Sequence, residues 1–311
     1  MRTAAALLLL ACCQLRSQPP VRQVAITIDD LPQQAGSCDP GAIRGLTSRL
    51  LEPFRAERIP VTGFVIGSRC GQQLGREGLL EILSLWLQAG ADLGNHTWSH
   101  PDLNRTPLAD YEADIVRNES VLKQALARHG RKLRYFRHPM LHAGRDLRTK
   151  LALEKFLARR GYRIAPVTLD NSDWMFAYVY ARAKKHGDAA LARRVMEAYL
   201  PYMESIFAFF ERRSVDVVGR GIPQILLLHA NELNAEAMPA LLSMMRSRGY
   251  SFITLERALG DAAYRLPDRY AGPGGFSWVH RWSITKGMKP EGEPNEPEFI
   301  AQEYEKGVGA K

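Results

Sequence analysis

Two short segments, far apart in the chain, carry the side chains that a catalytic metal site needs. Asp29 and Asp30 end an apolar run, and His96 and His100 lie in the segment His-Thr-Trp-Ser-His. One carboxylate and two imidazoles give Zn²⁺ three protein ligands and leave a fourth position for water. We expect the two imidazoles, spaced i and i+4, to point the same way from one helical turn. Each segment alone is more often solvated surface, so the prediction depends on both occurring together.

The paired aspartates predict a second function beside the metal. Neighbouring residues of an extended segment point in opposite directions, so Asp29 and Asp30 should diverge. One of them can bind the metal while the other takes a proton from a reacting group. The sequence therefore predicts a metal ligand and a general base side by side.

The elements that must position these residues are strands and helices in alternation. Short apolar runs alternate with amphipathic stretches, which is typical of a parallel sheet wrapped by helices. Asp39-Pro40 and Thr106-Pro107 should begin helices, because each places a proline in the first turn. Glycines stand where helices should end, at Gly90, Gly130, Gly161 and Gly249. We predict strands near residues 23–29, 61–66, 91–94, 133–137, 163–169, 224–229 and 251–254.

Five segments, taken in order, resemble the motifs of the polysaccharide deacetylases, carbohydrate esterase family 4. They are Thr27 to Asp30 with Pro32, Gly94 to Pro101, Phe136 to Pro139, Asp170 to Trp174, and Leu226 to His229. The resemblance spans roughly residues 22 to 260 and implies an α/β fold, a distorted (β/α)7 barrel. The predicted strands agree in number, and the candidate residues lie at strand ends, the face on which barrel enzymes build their sites.

The resemblance implies how these groups divide the chemistry. Asp30, His96 and His100 would bind the metal, which is Zn²⁺ or another divalent transition metal. Such a cation lowers the pKa of water and polarises an acetyl carbonyl. Asp29 would be the general base, and Arg137 would hold it in place.

The same resemblance implies an acid and a set of substrate contacts. His229 would be the general acid, because an imidazolium can donate a proton to nitrogen near neutral pH. Asp173 would orient that histidine. Leu227 could contact the acetyl methyl group, or it could simply be a residue of the hydrophobic core. The implied substrate-binding residues are Pro139, Met140, Trp174 and Leu227.

The third motif departs from the family pattern. The family has a tyrosine after the proline, whereas this chain has Met140. A methionine can still supply its backbone N–H to an oxyanion, but an aromatic wall of the groove is put in doubt. His138 and His142 are additional polar groups, either substrate contacts or ordinary loop histidines. Leu31 stands where the family commonly has glycine, which would narrow the pocket.

Two segments extend a minimal barrel, which would cover residues 19–261. Residues 175–222 form a helical insertion whose aromatic side chains could stack on sugars or, at helical spacing, form core. Residues 262–311 form a C-terminal extension rich in proline and glycine. We expect it to lie as an extended tail on the barrel, with a flexible end.

Residues 1–18 are typical of a signal peptide for export. A short basic start precedes an apolar stretch that is far too short to span a bilayer. Leu9 to Cys12 also resembles a lipoprotein processing site, which would place a lipid anchor on Cys12. We therefore expect a protein of the periplasm, the cell envelope or the extracellular space.

Removal of the signal would leave two cysteines, Cys38 and Cys70, each just beyond a predicted strand. Adjacent parallel strands end side by side, so these loops could bring the sulfurs within bonding range. A disulfide suits an exported protein, and two unpaired loop thiols are the alternative.

Composition indicates the size of the domain and limits the classes of binding partner. A chain of 311 residues, 46% of them hydrophobic, suits one large domain with additions. The net charge of +9 could favour an acidic polymer or an anionic envelope surface, or serve solubility alone. The basic residues are spread along helices without tracts or interleaved aromatics, so nucleic acid is not expected.

We therefore expect a metal-dependent hydrolase that removes N-acetyl groups from a polysaccharide or oligosaccharide. Peptidoglycan, a chitin-like oligomer and an exopolysaccharide are all open as substrates. The alternatives are a carbohydrate O-acetyl esterase, a hydrolase of another non-peptide carbon–nitrogen bond, and a noncatalytic carbohydrate-binding protein. The complete set of catalytic residues argues against the last of these.

Overall fold

The computed structural model describes residues 22–289 and 291–309. The signal peptide predicted at 1–18 and the lipid anchor predicted at Cys12 lie outside these residues. Within the described part of the chain, no helix combines the length and the apolar character needed to cross a bilayer.

A seven-stranded parallel sheet forms the centre of the protein, with strand order β5-β4-β3-β2-β1-β6 and with β7 beside β1. A bridge between Leu169 and Leu226 joins the segment after β5 to β6. The sheet therefore curls into a distorted barrel, which confirms the predicted fold class. The strands are β1 (Arg22–Leu31), β2 (Val61–Val65), β3 (Asp92–Asn95), β4 (Tyr135–Phe136), β5 (Arg163–Ile164), β6 (Gln224–His229) and β7 (Tyr250–Phe252).

Ten α-helices surround or extend this sheet in the described residues. The caps explain several starts: the Asp39 carboxylate accepts the Ala42 N–H at 2.8 Å, ahead of Pro40. Asp146 and Asn231 cap two later helices in the same way. The helices are α1 (Pro40–Ala56), α2 (Gly71–Gln88), α3 (Leu108–Ala127), α4 (Leu147–Arg159), α5 (Asp173–Lys185), α6 (Ala189–Val218), α7 (Glu232–Ser247), α8 (Leu255–Leu259), α9 (Trp278–Thr285) and α10 (Glu298–Gly309).

The insertion consists of α5 and α6, and its aromatic side chains belong to the core. Phe176, Tyr199, Phe207 and Phe210 are fully buried. The Tyr199 hydroxyl donates to Asn234 Oδ1 of α7 at 2.7 Å, which ties the insertion to the barrel. Helical spacing of aromatics therefore indicates packing here, and these four side chains are not exposed to stack on sugars.

The C-terminal extension differs from the extended, loose tail expected from the sequence. It contains α9 and α10, and Trp278 and Trp282 of α9 are buried. The Ser277 hydroxyl accepts the His280 N–H as an N-cap, which explains where α9 begins. Arg182 of α5 pairs with Glu303 of α10 at 2.9 Å. Packing against the insertion thus gives the tail a helical structure.

Candidate active site

The end of β1 brings two of the candidate catalytic residues into register. β1 and β6 pair in parallel with Asp29 opposite His229. Asp30, the next residue, adopts a left-handed φ of 64°, and the β1–β2 register shifts between Ile28 and Leu31. This local twist turns the two aspartates apart, so that each carboxylate meets different partners.

The segment His96 to His100 is a bent loop beyond β3. Thr97 and His100 have left-handed φ values of 69° and 58°, so the expectation of one helical turn was wrong. Asp114 of α3 accepts the Trp98 and Ser99 N–H groups at 2.7 and 2.9 Å. Because these side-chain bonds stabilise the loop, the two imidazoles converge without a helix.

Asp30, His96 and His100 offer ligand atoms that all lie within 4.8 Å of one another. Asp30 Oδ1 is 3.4 Å from His96 Nε2 and 3.5 Å from His100 Nε2, and this buried oxygen forms no hydrogen bond with any described residue. His96 Nδ1 bonds with the Arg137 carbonyl at 2.9 Å, which leaves Nε2 as the ligand atom. An unpartnered buried carboxylate oxygen between two imidazoles is the donor set that a divalent transition metal prefers.

The ionisation of these ligands suits metal binding. Burial and the neighbouring His96 lower the pKa of His100 to about 3, so its imidazole is neutral. Burial alone would raise the pKa of Asp30, but the nearby His96 imidazole and the charge of His229 hold the pKa below its ordinary value. Asp30 is therefore ionised near neutral pH.

Arg69 binds the other oxygen of Asp30, a contact that the motifs did not indicate. Arg69 Nη2 donates to Asp30 Oδ2 at 2.9 Å. Arg69 immediately precedes Cys70, which forms a disulfide with Cys38, with the two Cα atoms 5.3 Å apart. Gln33 Nε2 lies 3.4 Å from the Cys70 sulfur. The loops after β1 and β2 are thus joined covalently beside the candidate metal ligands.

Asp29 is buried next to an arginine. Arg137 is fully buried, and its Nη1 is 3.4 Å from Asp29 Oδ2 while its Nη2 donates to Thr27 Oγ1 at 2.8 Å. The Phe64 ring packs against the guanidinium at 4.7 Å. Asp29 Oδ1 has no hydrogen-bond partner among the described residues, so it is free to accept a proton from a bound molecule.

His229 and Asp173 form an ion pair at the end of β6. His229 Nδ1 lies 2.6 Å from Asp173 Oδ1, and the His229 N–H donates to Asp173 Oδ2 at 2.8 Å. Asn234 Nδ2 donates to the same oxygen at 2.6 Å. Burial lowers the pKa of His229, but the Asp173 charge and hydrogen bond raise it to about 9. The imidazole is therefore protonated at neutral pH, with Nε2 as its remaining nitrogen.

One cavity of about 420 Å³ is lined by Asp29, Asp30, His96, His100 and His229. Of the predicted substrate contacts, Met140, Trp174 and Leu227 line it, whereas Pro139 is buried and does not. Asp170 lines it too, and burial followed by the charge of Glu293 raises the pKa of this carboxyl well above its usual range. The lining residues that the sequence did not single out also include Gln34, Leu141, Asn171 and Gly275.

Part of the sequence is similar to known proteins. The family model described as polysaccharide deacetylase matches residues 16–156. A chitooligosaccharide deacetylase of Bradyrhizobium is 31% identical over 114 residues, which cover 35% of this chain and 45% of that protein. A peptidoglycan-N-acetylglucosamine deacetylase of Bacillus cereus is 26% identical over 152 residues, 49% of this chain and 46% of that protein. The matches thus span somewhat less than half the length of these relatives.

A solved structure supports the fold assignment. The crystal structure of the polysaccharide deacetylase Bc1974 from Bacillus cereus aligns with a TM-score of 0.50 and 16% identity, covering 75% of this chain and 91% of that chain. The ordered motifs and the barrel agree with the sequence matches. Together these findings show that residues 16–156 are similar to the polysaccharide deacetylase family and that the barrel has the fold of a solved polysaccharide deacetylase.

Proposed function

We propose that this protein is a metal-dependent hydrolase that removes N-acetyl groups from a polysaccharide or oligosaccharide outside the cytoplasm. One observation carries the proposal: a single pocket holds the Asp30, His96 and His100 triad, an unpaired oxygen of Asp29, and the protonated His229. Relatives named as deacetylases of peptidoglycan and of chitooligosaccharides support the same substrate class.

The divalent metal, proposed to be Zn²⁺, would supply electrostatic stabilisation of the acetyl carbonyl oxygen and acidify the attacking water. Asp29 Oδ1 takes a proton from that water while the water oxygen attacks the acetyl carbonyl carbon. Arg137 orients Asp29, because its guanidinium lies 3.4 Å from Oδ2. The base is thus prepared by the chain itself.

Collapse of the tetrahedral intermediate breaks the carbon–nitrogen bond. The Met140 N–H donates to the oxyanion, and His229 Nε2 gives a proton to the departing nitrogen. Asp173 stabilises the imidazolium before that transfer. Collapse releases acetic acid and a free amino sugar, which ionise to acetate and an ammonium group. Asp29 then loses its proton to solvent and His229 regains one, so both groups are restored.

The test is acetate release by the zinc-loaded mature protein from N-acetylglucosamine oligomers, peptidoglycan and O-acetylated xylan. The Asp29→Asn variant serves as the blank. Release from an N-acetylated member supports the deacetylase and begins to identify the polymer. Release from xylan alone would replace the proposal with a carbohydrate O-acetyl esterase. No release by a metal-bound protein would contradict it, and would favour another amide substrate or a noncatalytic carbohydrate-binding role.

A further inference from the structure

The third-motif loop is strained at two consecutive positions. Met140 and Leu141 have left-handed φ values of 55° and 53°, a conformation that residues with a side chain rarely adopt. Two such residues in succession persist only if the surrounding structure holds them. The contacts of this loop therefore reveal what fixes the position of the Met140 N–H.

The barrel supplies one part of this support. Leu141 is buried, and its N–H donates to the His138 carbonyl at 3.1 Å. His142 Nδ1 bonds with Asp102 Oδ1 at 2.7 Å, just beyond the second motif. His142 is thereby engaged as a support of the loop. These contacts hold the end of the loop but do not involve Met140 itself.

The C-terminal extension supplies the other part through the segment Gly272 to Gly275. The Gly272 N–H donates to the Gly144 carbonyl at 3.0 Å, and Asn104 Nδ2 donates to the Pro273 carbonyl at 3.1 Å. A Cβ atom added at Gly275 would lie 1.8 Å from the Met140 carbonyl oxygen. The backbone at Gly275 therefore packs directly on Met140, and no side chain fits between them.

Buried charges hold this segment in place. Asp268 lies 2.7 Å from Lys150 Nζ and 2.6 Å from Arg281 Nη2, and both cations are about 1% exposed. At the other end, the Trp278 N–H donates to the Val167 carbonyl at 2.6 Å. Removing one partner of a buried ion pair is strongly destabilising, so the segment has little freedom to move. The C-terminal extension is thus held rigidly against the third-motif loop.

We propose that Gly275 is a positioning residue for the oxyanion contact of Met140. Met140 and Gly275 both line the catalytic cavity, and the Met140 N–H forms no hydrogen bond with any residue that the structure describes. The close approach at Gly275 keeps Met140 in its left-handed conformation with this donor available. The inference rests on the proposed hydrolase, and it makes the C-terminal extension a functional part of the active site.

The test compares Gly275→Ala with Gly292→Ala, a change in the same extension. A Cβ at Gly292 meets no atom within 4 Å, and this residue is exposed. We expect Gly275→Ala to lower kcat about 10²-fold, the loss typical of one oxyanion donor, with KM nearly unchanged. Zinc affinity, measured by competition with a chromophoric chelator, should stay the same in both variants. Normal kcat in Gly275→Ala would overturn the inference.

A milder variant keeps the test decisive if Gly275→Ala does not fold, and a binding measurement adds a second readout if it does. Asn104→Ala removes only the side-chain bond to Pro273, and it should lower kcat a few-fold without affecting KM. In zinc-loaded protein labelled with [¹⁵N]methionine, acetate should shift the Met140 amide resonance of the wild type but not of Gly275→Ala. Wild-type protein without turnover contradicts the proposed hydrolase, whereas an equal Met140 shift in both proteins, or unchanged kcat in Asn104→Ala, contradicts the role of Gly275.

Discussion

His229 Nδ1 lies 2.6 Å from a carboxylate oxygen of Asp173, and the same carboxylate accepts the backbone N–H of His229. The side chain and main chain of the histidine are therefore held by one group. Because Nδ1 is engaged, Nε2 is the nitrogen that can give a proton to a substrate. This arrangement leads directly to an expected pH dependence.

Activity should fall on the alkaline side when His229 loses its proton. Its pKa is raised to about 9, so the acid is present at neutral pH and is lost as the pH rises through that value. A bound cation would disfavour the positive charge of the imidazolium. The alkaline limb of the kcat profile should therefore lie somewhat below pH 9. Asp173→Asn removes the partner charge, so the limb should move about 1–3 pH units further toward acid.

A pH–rate profile of kcat checks this expectation. Asp216→Asn, a change at a half-exposed carboxylate of α6, is the control and should leave the profile unchanged. An alkaline limb in Asp173→Asn that coincides with that of the wild type would show that Asp173 does not set the ionisation of the acid.

Two variants should distinguish the role of the proposed base from that of the proposed metal ligands. Asp29→Asn keeps the Asp30, His96 and His100 triad, so it should bind zinc normally and lose about 10²–10⁴-fold in kcat. His96→Ala removes a ligand and should lose both metal and turnover. Metal content by atomic spectroscopy and acetate release measure the two effects. Near-normal turnover in Asp29→Asn would mean that another group is the base.

Arg69 should matter for metal affinity, because it fixes the second oxygen of Asp30. Loss of a group that orients a metal ligand typically costs about 10–100-fold in affinity. We expect Arg69→Ala to weaken zinc binding by about that factor in chelator competition. Arg128→Ala removes an exposed arginine far from the site and is the matched control. Equal affinities would assign the Arg69 contact to local packing alone.

The disulfide should contribute to stability. Cys38 and Cys70 are separated by 32 residues, and closing a loop of that size stabilises a fold by about 3–4 kcal/mol in the chain-entropy treatment. Reduction, or the double change Cys38→Ser and Cys70→Ser, should therefore lower the melting temperature. Calorimetry with and without reductant measures the change. An unchanged melting curve, together with two titratable thiols, would rule out this bridge.

The sequence predicted the barrel well because its strands are apolar and its helix ends are marked. β1 and β6 begin and end within two residues of their expected bounds. β4 and β5 contain only two residues each, shorter than predicted, because the apolar runs continue into irregular segments that still pack. Apolar character indicates burial, but hydrogen-bond pairing decides where a strand ends.

The candidate site was predicted by its residue types more than by its shape. The loop from His96 to His100 depends on Asp114, a side chain of a later helix, so local spacing did not predict its form. The contact of Gly275 with Met140 joins distant parts of the chain and has no local signal. The Ser277 cap was a local signal for α9, hidden among prolines and glycines.

The parallel pairing of β1 and β6 places Asp29 opposite His229, and this has a consequence for how the protein can vary. Neighbouring strands lie about 4.8 Å apart in any sheet. The hydrogen-bonded pairing of the two strands thus sets the spacing between Asp29, the proposed base, and His229, the proposed acid. Loops around the pocket can change in length to suit another glycan without altering that interval. A slip of one residue between these strands, by contrast, would turn one of the two side chains to the wrong face.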